Sequence, residues 1–72
     1  MIPDDLPVFH EGEYPTPPNG IGPMTVMYNG LKAVIVYIDK DWNPTHKDRA
    51  TMMSVVYYDG GHDLYAVPHA SK

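Results

Sequence analysis

From Met24 onward, apolar residues alternate or run together in short stretches broken by turn residues, a rhythm that predicts strands. The run "MTVMY" is followed by Asn29-Gly30 and then "LKAVIVYI". Asn-Gly between two β-rich runs is the strongest short-range hairpin signal, because both residues tolerate positive φ. Strands are therefore expected at about 24 to 28 and 31 to 38. The polar stretch "DKDWNPTHKD" leads to "RATMMSVVYY", and "DGGH" turns the chain into "DLYAVP". This predicts a second hairpin with strands at about 49 to 58 and 63 to 67, and a closing 3₁₀ turn in "PHASK". No window carries a helical stripe with a capped start.

Both faces of the second strand are apolar. Leu31, Ala33, Ile35 and Tyr37 lie on one side, and Lys32, Val34, Val36 and Ile38 on the other. The third strand repeats this, with Met52, Val56 and Tyr58 opposed to Met53, Val55 and Tyr57. A strand bent across a small barrel buries both sets in turn. So does one whose outer side is covered by another segment or another subunit.

The first 23 residues follow a different rule. Six of the eight prolines (Pro3, Pro7, Pro15, Pro17, Pro18 and Pro23) fall there, each lacking an N–H, fixing φ and biasing its predecessor toward extended backbone. The stretch "EYPTPPNGIGP" can therefore be neither helix nor regular ladder. Two units are expected: an extended, acidic, Pro-rich arm over 1 to 23 and a small β-body over 24 to 72. Ile2, Leu6, Val8, Phe9, Tyr14 and Ile21 make the arm too apolar for a solvated linker. With Trp42 in the polar loop, they are the candidate partner-binding residues. Pro15 and Pro18 form a PxxP spacing, but no flanking Arg or Lys completes an SH3-ligand motif.

Size makes such contacts necessary. Ordering a body of roughly fifty residues costs on the order of 75 kcal/mol at ~1.5 kcal/mol per residue, and burying ~3,000 Å² of apolar area returns about the same. The chain has 72 residues and no cysteine, which removes disulfides and thiolate zinc sites. Contact with the arm or another chain is the staple left over. A four-stranded sheet also leaves two edges to be covered or paired.

Charge narrows the partners. Residues 1 to 23 hold Asp4, Asp5, Glu11 and Glu13 without Lys or Arg, whereas 24 to 72 balance five acids against five bases. The formal charge of -4 thus belongs to the arm. Phosphate recognition needs clustered cations, so nucleic acid is not expected as the main partner. The six-residue apolar run from Ala33 to Ile38 falls far short of the ~20 needed to span a bilayer, and the acidic N-terminus lacks a secretory pattern.

Chemical motifs are incomplete. Asp39, Asp41 and Asn43 open like a calcium loop, but Pro44 stands where Gly is required and Ala50 where the bidentate Glu belongs. His10, His46, His62 and His69 have no metal-motif spacing. His62, Asp63 and Ser54 or Ser71 supply the residue types of a hydrolase triad without a nucleophile elbow. No catalytic residue, metal or cofactor is expected.

In strand order and turn placement, "VMYNGLKAVIVYI" and "SVVYYDGGHDLYAVPHAS" resemble the small SH3-like or Tudor-like barrels. The fold expected is all-β: a four- to five-stranded antiparallel SH3-like barrel or sheet with an extended Pro-rich N-terminal arm. Such barrels close with a further strand after the 3₁₀ turn, which here the arm must supply unless the barrel stays open. The Tudor resemblance implies an aromatic cage, with Tyr28, Tyr37, Trp42, Tyr57 and Tyr58 as its candidates. The chain also resembles the plasmid-borne type II dihydrofolate reductases in size, but its Leu64-Tyr65-Ala66-Val67-Pro68 lacks their amide and aromatic residues. In style it is similar to small virion proteins of tailed bacteriophages that decorate capsids or join head to tail. That similarity implies a non-enzymatic structural protein, located in the virion or the host cytoplasm during assembly. It would dock through its N-terminal arm and exposed sheet edges onto other protein subunits, as a homo-oligomer or within a larger complex. The alternative is a stand-alone SH3/Tudor-like binding module or an inhibitor of a host protein.

Overall fold

A computed structural model describes residues 6 to 68, so Ile2 and all but Pro68 of the expected closing turn lie outside the described residues. The fold is all-β. Five strands, β1 (Val8–Phe9), β2 (Met24–Tyr28), β3 (Leu31–Ile38), β4 (Met52–Tyr57) and β5 (His62–Ala66), form one sheet in the order β1-β2-β3-β4-β5. A 3₁₀ turn spans Lys47–Arg49, capped by the His46 side chain accepting from the Asp48 N–H. Asn29 and Gly30, with φ of 54° and 84°, make the tight turn that sets the β2–β3 register from Met24↔Ile35 to Tyr28↔Leu31.

Of the two forms expected, barrel or sheet, the fold is the open sheet. One expectation is corrected: the sheet is mixed rather than antiparallel, because β1 runs parallel to β2 with Val8 opposite Met27. The reason lies in residues 10 to 23. Parallel neighbours need a crossover connection of about a dozen residues or more, and this Pro-rich stretch provides it. The N–H groups of Met27 and Asn29 donate to the carbonyls of Pro7 and Phe9, fixing the two-residue strand.

The same stretch lies on the inner face of the sheet. That face carries Val26, Tyr28, Ala33, Ile35, Tyr37, Met53, Val55 and Tyr57, all buried. Pro15 and Pro17 are fully buried with them, and Phe9 and Tyr14 pack against the cluster. A chain without ladder bonds must satisfy its carbonyls elsewhere. Here side chains from the sheet and the 3₁₀ turn reach for them: Tyr28 Oη donates to Glu13 O at 2.9 Å, Lys47 Nζ to Tyr14 O at 2.7 Å, and Tyr37 Oη to Pro15 O at 2.5 Å. Lys47 also donates to Thr16 Oγ1. The Asn19 side-chain oxygen accepts from the N–H groups of Ile21 and Gly22, turning the chain into β2. Gly22, at φ 110°, lies so close to β3 that a Cβ there would meet the Ile35 carbonyl oxygen at 2.6 Å.

Candidate interaction surface

Strand alternation places the remaining side chains on the outer face in four rows. Across the sheet, Val8 lies beside Met27 and Lys32, with Tyr58 next in line through its N–H to Lys32 O. The next row is Thr25, Val34, Val56 and His62, followed by Val36, Ser54 and Leu64, then Ile38, Met52 and Ala66. No described acidic residue belongs to these rows. Val34, Val36, Met27 and Met52 are half-buried, whereas Val8 is 62% exposed, Val56 50% and Leu64 41%. Lys32 Nζ sits 4.7 Å from the Tyr58 ring centroid, so even this cation lies over an aromatic ring. The inner face is roofed by the Pro-rich crossover; on the outer face Ile38, beside the loop carrying Pro44, is buried, and the rows from Val8 to Leu64 have no layer of the described fold on them.

Trp42 stands in the loop that follows β3. The Asp39 carboxylate accepts from the N–H groups of Asp41 and Asn43 at 2.9 and 3.0 Å, and Trp42 N–H donates to Asp39 O. This network holds Trp42 at φ 68°, a left-handed conformation unfavourable for a bulky residue, with the side chain 63% exposed. Such a conformation persists only where its surroundings over-determine it. Asp39 is thus occupied with backbone donors. Among the described residues no group of three or more His, Cys, Asp or Glu is placed to hold a metal ion.

The other expected site residues fall in different places. Of the arm candidates, Tyr14 is half-buried and donates through its hydroxyl to Ala66 O at 2.9 Å; Leu6, Phe9 and Ile21 are half-buried, and Val8 is exposed. Val8 and Trp42 are therefore the described candidates left most open to a partner. The five cage aromatics do not meet: Tyr28, Tyr37 and Tyr57 belong to the core, while Trp42 and Tyr58 are exposed near opposite ends of the sheet. His62 and Asp63 point to opposite faces of β5. Asp63 turns inward, where Tyr57 Oη donates to it at 2.9 Å and Tyr65 Oη at 3.4 Å. A shallow pocket of about 370 Å³ beside the 3₁₀ turn is lined by His46, Asp48 and Arg49.

Burial shapes the electrostatics of the inner face. Loss of hydration pushes the Tyr28 phenol up to about 12, assisted by neighbouring Tyr65. Burial likewise pushes Tyr57 to about 12, reinforced by Asp63, and raises Tyr37 and Tyr65. These hydroxyls stay protonated donors through neutral pH, as their roles on the crossover and on Asp63 require. Sequence reasoning missed Val34, Val36, Val56, Leu64 and Lys32 as surface residues. The available signal was the apolar character of both faces of β3 and β4.

No family model matches this chain, and neither does any curated protein or solved structure. Among the described residues no helix is long and apolar enough to cross a membrane.

Proposed function

We propose that this protein is a non-enzymatic assembly protein that seats the outer face of its sheet on protein neighbours within a larger complex. The observation that carries the reading is the unroofed row structure around Val34, Val36, Val56 and Leu64, apolar and free of acids in a protein of net charge -4. At about 4.8 Å between strands and about 3.4 Å per residue, five strands by five residues give roughly 400 Å² of flat sheet. Patches of that order on small proteins commonly mark interaction sites. Lys32 gives the face a single full positive charge, which fits a partner surface that is apolar with an acidic residue at its rim. Trp42, held rigidly in the open, adds an anchor of the residue type most enriched at binding hot spots. In its narrower form the complex is a tailed-phage particle and the chain a capsid decoration or head-to-tail joining subunit. The compact cysteine-free β-domain supports that form.

The test is a Val34→Glu, Val56→Glu double variant followed through sedimentation of lysates from the native source. Wild type should travel with a large complex, and the variant, folded by circular dichroism, should stay in the light fractions. A folded double variant that still travels with the complex, or a wild type that sediments alone, overturns the reading.

A further inference from the structure

The two edges of the sheet are built differently. β1 is a two-residue strand preceded by Pro7, a short and proline-guarded edge of the kind that discourages further pairing. β5 has five residues, no proline or lysine within His62–Ala66, and an unbroken register with β4 from Met52↔Ala66 to Val56↔His62. Its one full charge, Asp63, is turned inward to the Tyr57 and Tyr65 hydroxyls. The direction of its backbone groups follows from the flanking bonds. Tyr57 N–H donates to Gly61 O and Val67 N–H to Thr51 O, so the odd-numbered residues of β5 face β4. The N–H and C=O groups of His62, Leu64 and Ala66 therefore point away from the sheet. Among the described residues, the hydroxyl of Tyr14 on Ala66 O is the contact made to this outward row, and a carbonyl oxygen has a second lone pair.

We propose that β5 is a self-pairing edge, where two copies of this chain join antiparallel about Leu64 to make one continuous sheet. The register follows from the free groups. Centring on Leu64 sets Leu64 opposite Leu64, His62 opposite Ala66 and Asp63 opposite Tyr65, so every outward N–H and C=O of the three residues finds a partner. No like charges oppose one another. Shifting the centre toward the C-terminus brings in Pro68, which has no N–H. Each inward Asp63 carboxylate then lies beside a second tyrosine, from the other copy. The two outer faces meet side by side across the Leu64 pair, doubling the apolar surface assigned to partners. The pairing rests on the assembly reading only in naming a copy of this chain as one neighbour, since it is made by the backbone groups of the edge and shares with the face the side chain of Leu64.

Light scattering and cysteine crosslinking of the full chain test the pairing. Opposed hydrogen-bonded residues sit about 5.5 Å apart at Cα, within disulfide reach, and the protein has no cysteine of its own. A Leu64→Cys variant should oxidise to a covalent dimer, while Val56→Cys, one strand further in, should remain single. Leu64→Lys places like charges across the axis and should weaken the wild-type dimer by about tenfold or more. Hydrogen exchange should show amides of His62, Leu64 and Ala66 protected in the dimer and released in the Leu64→Lys variant. A wild type that stays monomeric up to its solubility limit overturns the pairing, as does crosslinking of Val56→Cys as readily as Leu64→Cys. A Val34→Glu, Val56→Glu variant that loses the large complex yet still dimerises separates failure of the edge from failure of the face.

Discussion

The hydroxyl of Tyr37, fully buried on β3, donates to the carbonyl oxygen of Pro15 on the crossing segment. A strand side chain here does for a proline-rich chain what a neighbouring strand does for a ladder. Tyr28 and Lys47 repeat the device on the two preceding carbonyls, Glu13 and Tyr14. The crossover thereby becomes a second layer of the domain without β-structure of its own.

Tyr37→Phe removes that donor while leaving the ring in place and the Pro15 carbonyl buried. Stranding a buried acceptor costs about 1–3 kcal/mol. The loss should appear as a lower urea midpoint at unchanged denaturant slope. A Tyr37→Phe midpoint equal to wild type would show that water or a shifted chain satisfies Pro15 instead.

Deleting residues 1 to 22 takes away Pro15, Pro17, Tyr14 and the whole of β1, and opens the inner face to water. The remaining chain should lose its cooperative thermal transition, as it sheds the layer that tips a near-balanced body toward folding. A truncated chain that melts cooperatively near the wild-type temperature would mean the sheet stands without its roof.

Alkali should act through the buried phenols. Tyr28 and Tyr57 are pushed from the ordinary value of 10.0 to about 12 in the folded protein, chiefly by burial. Because the folded pKa lies above the unfolded one, their contribution is complete below pH 10 and is lost as pH rises from there toward about 12. Phenolate absorbance of these residues should therefore appear together with loss of β-structure by circular dichroism. Their smooth ionisation in a protein that remains folded would contradict the burial argument.

Much of the sheet was legible because its signals are local. Asn29-Gly30 fixes a register, and strands expected at 24 to 28 and 31 to 38 are found at those positions. The third strand was expected from about 49 but begins at Met52, because His46 caps a 3₁₀ turn that holds Arg49 outside the ladder. β1 was illegible as a strand. Proline marks Val8 and Phe9 as extended, but pairing with β2 depends on where residues 10 to 23 travel, a tertiary matter. The same limit hid the tyrosine donors, since a strand tyrosine has one alternation pattern whether its hydroxyl meets water or a proline carbonyl. Apolar residues on both sides of β3 did announce that both faces call for cover, of which the structure shows the inner one covered by the crossover. They did not say which cover comes from within the chain.

Gly22→Ala isolates the crossover's approach to the sheet. At φ 110° an L side chain is strained, and the new Cβ would stand 2.6 Å from the Ile35 backbone oxygen, which no flexible side chain can relieve. At Gly60, which has the same φ, a Cβ would meet nothing within 4 Å, so Gly60→Ala carries the backbone strain alone. Gly22→Ala should cost more stability than Gly60→Ala by at least about 1 kcal/mol, the scale of a forced overpacking. Equal urea midpoints for the two variants would mean the crossover shifts freely over β3.

Trp42 tests whether strain and function coincide. Its left-handed backbone costs about 1–2 kcal/mol for a residue with a Cβ, a cost that asparagine bears more lightly. Trp42→Asn should therefore raise stability, by about 0.5–1 kcal/mol in urea unfolding, within the range of gains from relieving a functional site. As Trp42 is the sole tryptophan, its emission reports directly on the loop. In the free protein the indole should be readily quenched by acrylamide, as 63% exposure requires, and quenching should fall when the large complex forms. If the residue is kept for docking, Trp42→Asn should weaken association by roughly 2 kcal/mol, the scale of an aromatic hot spot. A variant that is both more stable and equally well bound would remove Trp42 from the interface and leave the docking to the sheet face.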